Sequence, residues 1–256
     1  MTKAEFRSWL AVVLLLAPLI ALVSSETVLK GLLGFLFPGT IAPLFPRASL
    51  AFLVGEHLGL VVASSALATF VGIAAGILAT RPGAEPFAEL AERLAAVGQT
   101  FPPAAVLALA VPSLGFGFAP TIIALFLYGI LPVLRNTMSG ISVVSREVLD
   151  AAHGMGMGRA RTLLKIELPL AAPLILAGLR SSVIVNIGTA TVGATIGAGG
   201  LGSPIISGLV TQNPSYLAEG GIAVALLALA VDSLFAAVSH RLSGARELSE
   251  RSTVAP

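Results

Sequence analysis

The chain has 256 residues, of which 56% are hydrophobic and 11% charged, and its formal net charge is +2. Soluble domains carry roughly 25% charged residues, so this composition excludes a water-soluble fold, which would lack the polar side chains needed to cover its surface. Intrinsic disorder is excluded as well, because it requires low hydrophobicity and high net charge. We therefore expect an all-α integral membrane protein.

Uncharged runs mark the predicted membrane spans. The first lies between Arg7 and Glu26 and reaches the ~17–25 residues that a span needs, so we favour a retained anchor over a cleaved secretory signal. The second covers residues 58–80. The third lies between Arg93 and Arg135 and is about twice as long as one crossing. It is predicted to fold back at the proline- and glycine-rich stretch 112–120.

The remaining spans contain two isolated charges. A fourth run, residues 168–218, includes only Arg180 and is predicted to break near the glycine-rich stretch 197–204. The last span covers residues 220–239 and contains Asp232, which brings the predicted number of crossings to six.

The positions of Lys and Arg predict the orientation. Most of them fall on the side of the membrane that holds the N-terminus, and basic residues are concentrated in cytoplasmic loops. Both termini are therefore predicted to be cytoplasmic. The predicted organisation is a transmembrane helix with an extracytoplasmic loop at 1–49, a core of five transmembrane helices at 50–240 and a cytoplasmic tail at 241–256.

The longest polar segment, residues 145–168, lies on the predicted cytoplasmic side. Ser145 is placed to cap a helix, with Glu147 and Asp150 near the positive end of the helix dipole. Glycines at 154, 156 and 158 interrupt this helix, and a helical pattern resumes at Arg159. A plain connection between helices needs only about 2–8 residues. The extra length predicts two short helices around a glycine bend, forming a surface onto which a partner docks.

Within this segment, Asp150-Ala151-Ala152, Gly156 and Ile166-Glu167-Leu168-Pro169 follow the spacing of a known signature. The pattern resembles the EAA signature of permease subunits in binding-protein-dependent ABC importers, although Asp150 stands where Glu is usual. The resemblance implies a type I importer permease fold and a coupling helix seated in a groove of a cytoplasmic ATPase. The residues that it assigns to ATPase coupling are Asp150, Ala151, Ala152, Gly156, Arg159, Leu168 and Pro169.

Other stretches narrow the resemblance to permeases for glycine betaine, carnitine, choline and similar osmolytes. They lie at 99–102, 114–117, 135–137, 187–191 and 196–202. Methionine-type importers look similar at the last of these stretches, so a permease for methionine or another amino acid stays open as the alternative. The family implies a second permease subunit, identical or related, ATPase subunits that carry ATP and Mg, and an extracytoplasmic substrate-binding protein.

The chain lacks the residues that ATP binding and solute capture need, which supports assigning both to separate subunits. None of Lys3, Lys30 and Lys165 follows a glycine, so no P-loop is present, and we expect no enzymatic activity and no cofactor on this chain. With one Trp and two Tyr, an aromatic cage for a quaternary ammonium is not expected, which assigns solute capture to the binding protein. The scattered histidines predict no metal site, and the thinly spread basic residues predict no contact with nucleic acid. The apolar composition predicts contact with a lipid bilayer.

Two other functional classes compete with the importer permease: a stand-alone secondary transporter or channel, and a membrane scaffold that transports nothing. The first is disfavoured because no internal repeat is visible and charged residues deep in spans are few. A scaffold would have no use for the 145–168 segment.

Several polar and glycine positions are candidates for the pathway or a gate, each with a plainer alternative. Gln99, Asn186, Thr189 and Thr191 either line a polar passage or form interhelical hydrogen bonds. Gly199 and Gly200 either form an outer gate or only end a helix. For Arg180 and Asp232, the sequence favours snorkelling to an interface over a mutual ion pair.

Overall fold

The computed structural model describes the backbone of residues 3–253 and the side chains of residues 7–239 and 241, and this part of the chain contains helices and no strand. The helices are α1 (Lys3–Ser24), α2 (Glu26–Leu36), α3 (Leu50–Ala79), α4 (Glu85–Thr100), α5 (Pro103–Leu114), α6 (Phe118–Ser142), α7 (Arg146–Gly154), α8 (Arg159–Thr162), α9 (Leu168–Thr189), α10 (Gly202–Thr211) and α11 (Pro214–Thr253). A π-helical turn, Leu163–Glu167, precedes α9, and a 3-10 helix, Ala190–Ile196, follows it. The all-α prediction is confirmed.

Five stretches of the described chain are long and apolar enough to cross a membrane. They are Arg7–Ser24, Leu50–Ala79, Phe118–Ser142, Arg159–Ile196 and Pro214–Ser239. The remaining predicted crossing is the first half of the run between Arg93 and Arg135. It corresponds to α4 and α5, which are bent against each other by 97°. This bend was not predicted, although Pro102 and Pro103 supply its cause, since neither has the N–H group that would continue the hydrogen bonds of α4.

Both predicted breaks are confirmed. Helix α5 ends at Leu114, and Gly115 and Gly117 adopt φ values of 77° and 95° before α6 begins at Phe118. These left-handed backbone angles favour glycine because a Cβ atom would be strained there. At the second break, three glycines with positive φ (Gly197, Gly199 and Gly200) separate the 3-10 helix from α10.

Small residues bring the central helices close together. A Cβ atom on Gly72 would lie 2.9 Å from Val133, and one on Gly76 would lie 2.7 Å from Thr137, so α3 approaches α6 at both glycines. On the other side of α6, a Cβ atom on Gly178 would lie 2.7 Å from Asn136, which gives α9 a similar close contact. Small residues spaced in this way are typical of helix packing in membranes. The three helices therefore form the centre of the bundle.

Helices α1 and α11 pack along one side of this centre. The Arg241 guanidinium lies 5.0 Å from the centre of the Trp9 ring, close to the start of α1 and far along α11. The orientation of the bundle in a membrane stays a prediction. Of the basic residues that support it, Lys3, Arg246 and Arg251 lie outside the described side chains, as do residues 242–256 of the predicted tail.

Gly202 provides a test of the second break. A Cβ atom there would overlap the carbonyl oxygen of Thr191, a backbone atom that cannot swing away. We expect Gly202→Ala to lower the free energy of unfolding by about 3 kcal/mol, the upper part of the usual range for overpacking. Gly188→Ala is the matched control, because a Cβ atom on Gly188 meets nothing within 4 Å. Thermal unfolding of the two purified variants measures the difference, and equal melting temperatures would contradict the packing described.

Candidate functional site

The 145–168 segment folds as two short helices around a bend, as predicted. Ser145 is the N-cap residue of α7, the turn runs from Met155 to Gly158, and α8 begins at Arg159. Hydrogen bonds from its own backbone N–H and from the Ser145 side chain lower the pKa of Glu147, which is fully exposed. Glu147 is therefore ionised at neutral pH, where its charge favours the positive N-terminal end of α7.

Gly156 shapes the bend of this segment. Its φ is +76°, and an added Cβ atom would meet no atom within 4 Å. The backbone N–H of Met157 donates to the Ala152 carbonyl oxygen at 3.0 Å and closes the turn. Within this chain, the positive φ is the only reason why residue 156 must be glycine, since no neighbouring atom limits the space for a side chain. The space above Gly156 is open, so that side of the bend is accessible to another molecule.

The residues of the Asp-Ala-Ala triplet have unequal exposure. Asp150 and Ala151 are exposed, as is Arg159 at the start of α8. Ala152 is 0% exposed, so its side chain packs inside the protein and belongs to the interior of the segment. Leu168 is half-buried and Pro169 exposed at the start of α9. Of the residues assigned to coupling by resemblance, Ala152 is therefore the one that the structure removes from the exposed surface.

Apolar side chains project from this charged segment. Met155 is 74% exposed, Leu164 64% and Val148 40%. Exposed apolar groups in contact with water are costly, and their clustering usually marks an interaction site. Val148 and Met155 lie outside every stretch that is able to cross a membrane, so contact with lipid tails does not account for these two, whereas Leu164 lies within the Arg159–Ile196 stretch.

An ion pair fastens the segment to the end of α3. Arg81 Nη2 lies 2.5 Å from Glu167 Oε2, and Nη1 donates to Oε1 at 3.3 Å. The same guanidinium donates through Nε to the Ile77 carbonyl oxygen, which holds it against the last turn of α3. Glu167 is only 7% exposed and occupies the last position of the π-helical turn. Glu167 stood in the signature used for the resemblance, but nothing in the sequence pointed to its pairing with Arg81 across 86 positions.

A cavity of about 660 Å³ adjoins this pair, between the ends of α3 and α6 and the 145–168 segment. Its wall includes Arg81, Arg146, His153, Arg159 and Glu167. The segment is therefore held to the spans at a few contacts and separated from them by open space elsewhere.

Two of the polar pathway candidates, Gln99 and Asn186, form hydrogen bonds between helices. Gln99 Nε2 donates to the Tyr128 carbonyl oxygen at 2.7 Å, which joins α4 to α6. Asn186 is fully buried, and its Nδ2 donates to Ser64 and Ser65 Oγ at 3.2 and 3.0 Å, which joins α9 to α3. Interhelical hydrogen bonding is thus the observed role of these two amides.

The two threonines in this group differ from the amides. Thr191 Oγ1 donates to the Gly188 carbonyl oxygen at 2.7 Å, within its own turn, and Thr189 is half-buried near the end of α9. Neither is shown in contact with Gln99 or Asn186, so a lining role for Thr189 and Thr191 stays a prediction.

Arg180 and Asp232 form an ion pair between α9 and α11. Arg180 Nε donates to Oδ1 at 2.6 Å and Nη2 donates to Oδ2 at 2.7 Å, a bidentate geometry. The preference for separate snorkelling was therefore wrong. The physical reason is that both residues lie within helices that qualify as membrane spans, where each charge is costly unless it is paired.

Gly199 and Gly200 lie at the opposite end of the bundle from the 145–168 segment. The Gly200 backbone N–H donates to Glu56 Oε2 at 2.9 Å. His57, the next residue of α3, is fully buried, and its Nε2 lies 2.9 Å from the Ile187 carbonyl oxygen. The glycine turn is therefore fastened to the first part of α3, which carries Arg81 beyond its other end.

The chain is similar to known transport proteins over most of its helical core. Residues 68–244 match the family described as binding-protein-dependent transport system inner membrane component. The choline transport system permease protein OpuBB of Bacillus subtilis (strain 168) is 44% identical over 133 residues, which are 51% of this chain and 61% of the relative. The glycine betaine/carnitine/choline transport system permease protein OpuCB of the same organism is 41% identical over 133 residues, 50% of this chain and 61% of the relative.

The fold is shared with a solved transporter. A structure of the MetNI methionine ABC transporter in an inward-facing conformation superposes with a TM-score of 0.67 and 19% identity, covering 75% of this chain and 95% of that chain. At this identity the likeness concerns the fold. The match to the curated permeases spans about three-fifths of their length, 61% in both cases.

The Arg180–Asp232 pair is testable by a double-mutant cycle on thermal stability. We expect Arg180→Ala and Asp232→Ala each to destabilise the protein, because each leaves one charge unpaired between helices. The double variant should lose less than the sum of the two single losses. Arg93 and Glu89 supply the control pair, since both are well exposed on α4 and such pairs contribute little. Additive losses at Arg180 and Asp232 would contradict the pairing.

Proposed function

The chain belongs to the family of binding-protein-dependent transport system inner membrane components, and on that premise we propose that it is the permease subunit of an ATP-driven ABC importer for small quaternary-ammonium osmolytes. It forms the translocation pathway together with a second permease subunit. ATP and Mg are bound by separate ATPase subunits on the cytoplasmic side, and an extracytoplasmic binding protein delivers the solute.

The observation that carries this proposal is the exposed surface of the 145–168 segment. Val148, Met155 and Leu164 present apolar area, the space above Gly156 is open, and Asp150 and Arg159 add charge of both signs. Apolar side chains surrounded by charged ones fit a groove in another protein better than they fit water. The ATPase is the partner that the family supplies for this position.

The mechanism is alternating access driven through contact with the ATPase. When the ATPase subunits close, the 145–168 segment moves with them and displaces α9, which continues directly from the π-helical turn. Helix α9 packs closely on α6, and α6 on α3, so the displacement reaches the centre of the bundle. Closely packed helices shift as units because interiors have low compressibility. The movement opens the pathway to the solute that the binding protein holds.

The solute class is supported by the relatives. The permeases similar to this chain are named for choline, glycine betaine and carnitine, which share a trimethylammonium group. An amino-acid importer is the alternative, and its support is the fold likeness to a methionine transporter, which does not bear on the solute. Uptake of labelled choline, glycine betaine and methionine by the complete complex in liposomes separates the two readings.

Gly156 gives a direct test of the docking surface. We expect Gly156→Asp to reduce uptake and the ATPase that co-purifies with the permease at least tenfold, because a charged side chain then fills the space into which the ATPase fits. Gly83→Asp is the matched control: its φ is +79°, an added Cβ atom also meets nothing within 4 Å, and it lies outside the segment. Aspartate tolerates the left-handed region better than most residues. Unchanged co-purification with Gly156→Asp would refute the docking role.

The Arg81–Glu167 pair gives a separate test of transmission. We expect Arg81→Gln to reduce uptake at least tenfold while the ATPase still co-purifies, because the nearly buried Glu167 carboxylate then lacks its partner. Glu167→Gln should be milder, since it leaves no buried charge, and adding it to Arg81→Gln should restore part of the uptake. Uptake that stays at the wild-type level in Arg81→Gln would contradict a role of this pair in transmission.

A further inference from the structure

A cavity of about 450 Å³ lies at the end of the bundle opposite the 145–168 segment. Its wall is formed by the connection before α3, by the first part of α3, by the glycine turn and by α10. Its lining includes Phe45, Arg47, Glu56 and Gly199. The volume falls in the range of about 300–1,000 Å³ that is usual for sites that bind small molecules.

The two charges that line this cavity are opposite in sign and are not paired with each other. Among the described residues, Arg47 makes no hydrogen bond or ion pair, and its side chain is exposed. Glu56 is half-buried and accepts one hydrogen bond through Oε2 from the Gly200 N–H. Its Oε1 accepts none from the described residues. One cationic group and one carboxylate oxygen are therefore available to a ligand.

The position of the Glu56 carboxylate is fixed by the glycine turn. Gly199 packs so closely on the carboxylate that any Cβ atom at that position would overlap Glu56. With Gly199 on one side and the Gly200 N–H on Oε2, the carboxylate has little freedom to turn away from the cavity. The positive φ angles of both glycines are what allow the backbone to approach so closely.

The aromatic wall of the cavity is also held in place. The Phe45 N–H donates to Glu219 Oε2 at 2.8 Å, and its ring packs edge-on against Tyr216 at 5.9 Å between centres. The loop between α2 and α3, which contains Phe45, is also held by Ser215 Oγ, which donates to the Pro43 carbonyl oxygen at 2.7 Å. Phe45 is 7% exposed and belongs to the hydrophobic core, so the groups that the cavity offers to a ligand are an ordered carboxylate and a free guanidinium.

We propose that this cavity is a low-affinity acceptor site for betaine-type solutes, which carry a quaternary ammonium and a carboxylate in one small molecule. The proposal rests on the proposed function. Glu56 receives the trimethylammonium group, since a carboxylate attracts such a cation. Arg47 receives the solute carboxylate through its planar guanidinium.

The composition of the site makes it weak, which suits a transfer step. The buried Phe45 ring supplies no aromatic cage, and Arg47 is exposed, where ion pairs contribute little. The solute would be held only after the binding protein releases it and would leave as the pathway opens.

The experiment compares uptake of glycine betaine and choline by the complete complex in liposomes at saturating binding protein. Choline has the quaternary ammonium but lacks the carboxylate. Arg47→Gln should therefore lower glycine betaine uptake at least fivefold and leave choline uptake within twofold. Glu56→Gln should lower uptake of both at least fivefold, while its amide oxygen can still accept from the Gly200 N–H. Glu26→Gln and Lys30→Gln, exposed charges on α2, are the controls and should change neither.

Direct binding separates a solute site from a docking surface for the binding protein. In saturation-transfer NMR without binding protein, the glycine betaine methyl protons should give a signal with the wild-type complex and lose it with Glu56→Gln. Equal loss of both solutes with Arg47→Gln, or an NMR signal that survives Glu56→Gln, would overturn the proposal. Weaker binding-protein affinity with an unchanged NMR signal would overturn it too. A wild-type complex that imports neither solute would instead refute the proposed function.

Discussion

Backbone hydrogen bonding in a membrane is the constraint on which the structure depends. A span surrounded by lipid must satisfy every N–H and C=O group within itself, so it stays helical unless protein covers the exception. Within the described residues, this chain departs from helix inside its apolar core at glycine- and proline-containing breaks. The glycine turn at 197–200 is the main example, because the Glu56 side chain accepts the Gly200 N–H that no helix satisfies. The same support creates a polar cavity wall at that end of the bundle.

Helix α3 connects the cavity lined by Glu56 with the 145–168 segment at the opposite end of the bundle. Near its start, Glu56 holds the glycine turn, and just beyond its end Arg81 holds Glu167 of the 145–168 segment. At ~1.5 Å per residue the distance along the helix between these contacts is about 35–40 Å, more than the thickness of a bilayer core. Between them, Gly72 and Gly76 bring α3 against α6. A displacement at the 145–168 segment and a change at the opposite cavity therefore act on one continuous helix, which fits a transporter whose motor and solute bind on opposite sides.

Local signals in the sequence located the breaks and the bend of the 145–168 segment, because each depends on residues close together in the chain. The fold-back at 115–117 and the turn at 197–200 follow from glycines with positive φ, and the bend at Gly156 follows from the same property. The bend between α4 and α5 was missed although Pro102 and Pro103 cause it, since an apolar run that continues past a proline pair reads as one span. Ala152 shows the limit of a motif: its position was predicted, but only the packing shows that its side chain faces the interior.

By itself, the sequence determined the membrane class, the helical architecture, the family resemblance and the place of the 145–168 segment, because hydropathy, helix breakers and motif spacing are properties of neighbouring residues. The tertiary structure alone decided which group each of these charged side chains contacts. Arg180 pairs with Asp232 across 52 positions, Arg81 with Glu167 across 86, and Glu56 with Gly200 across 144. A charge within a membrane span is costly unless it is paired, but the order of residues along the chain does not indicate which helices pack together. Only the packing of helices fixes those partners.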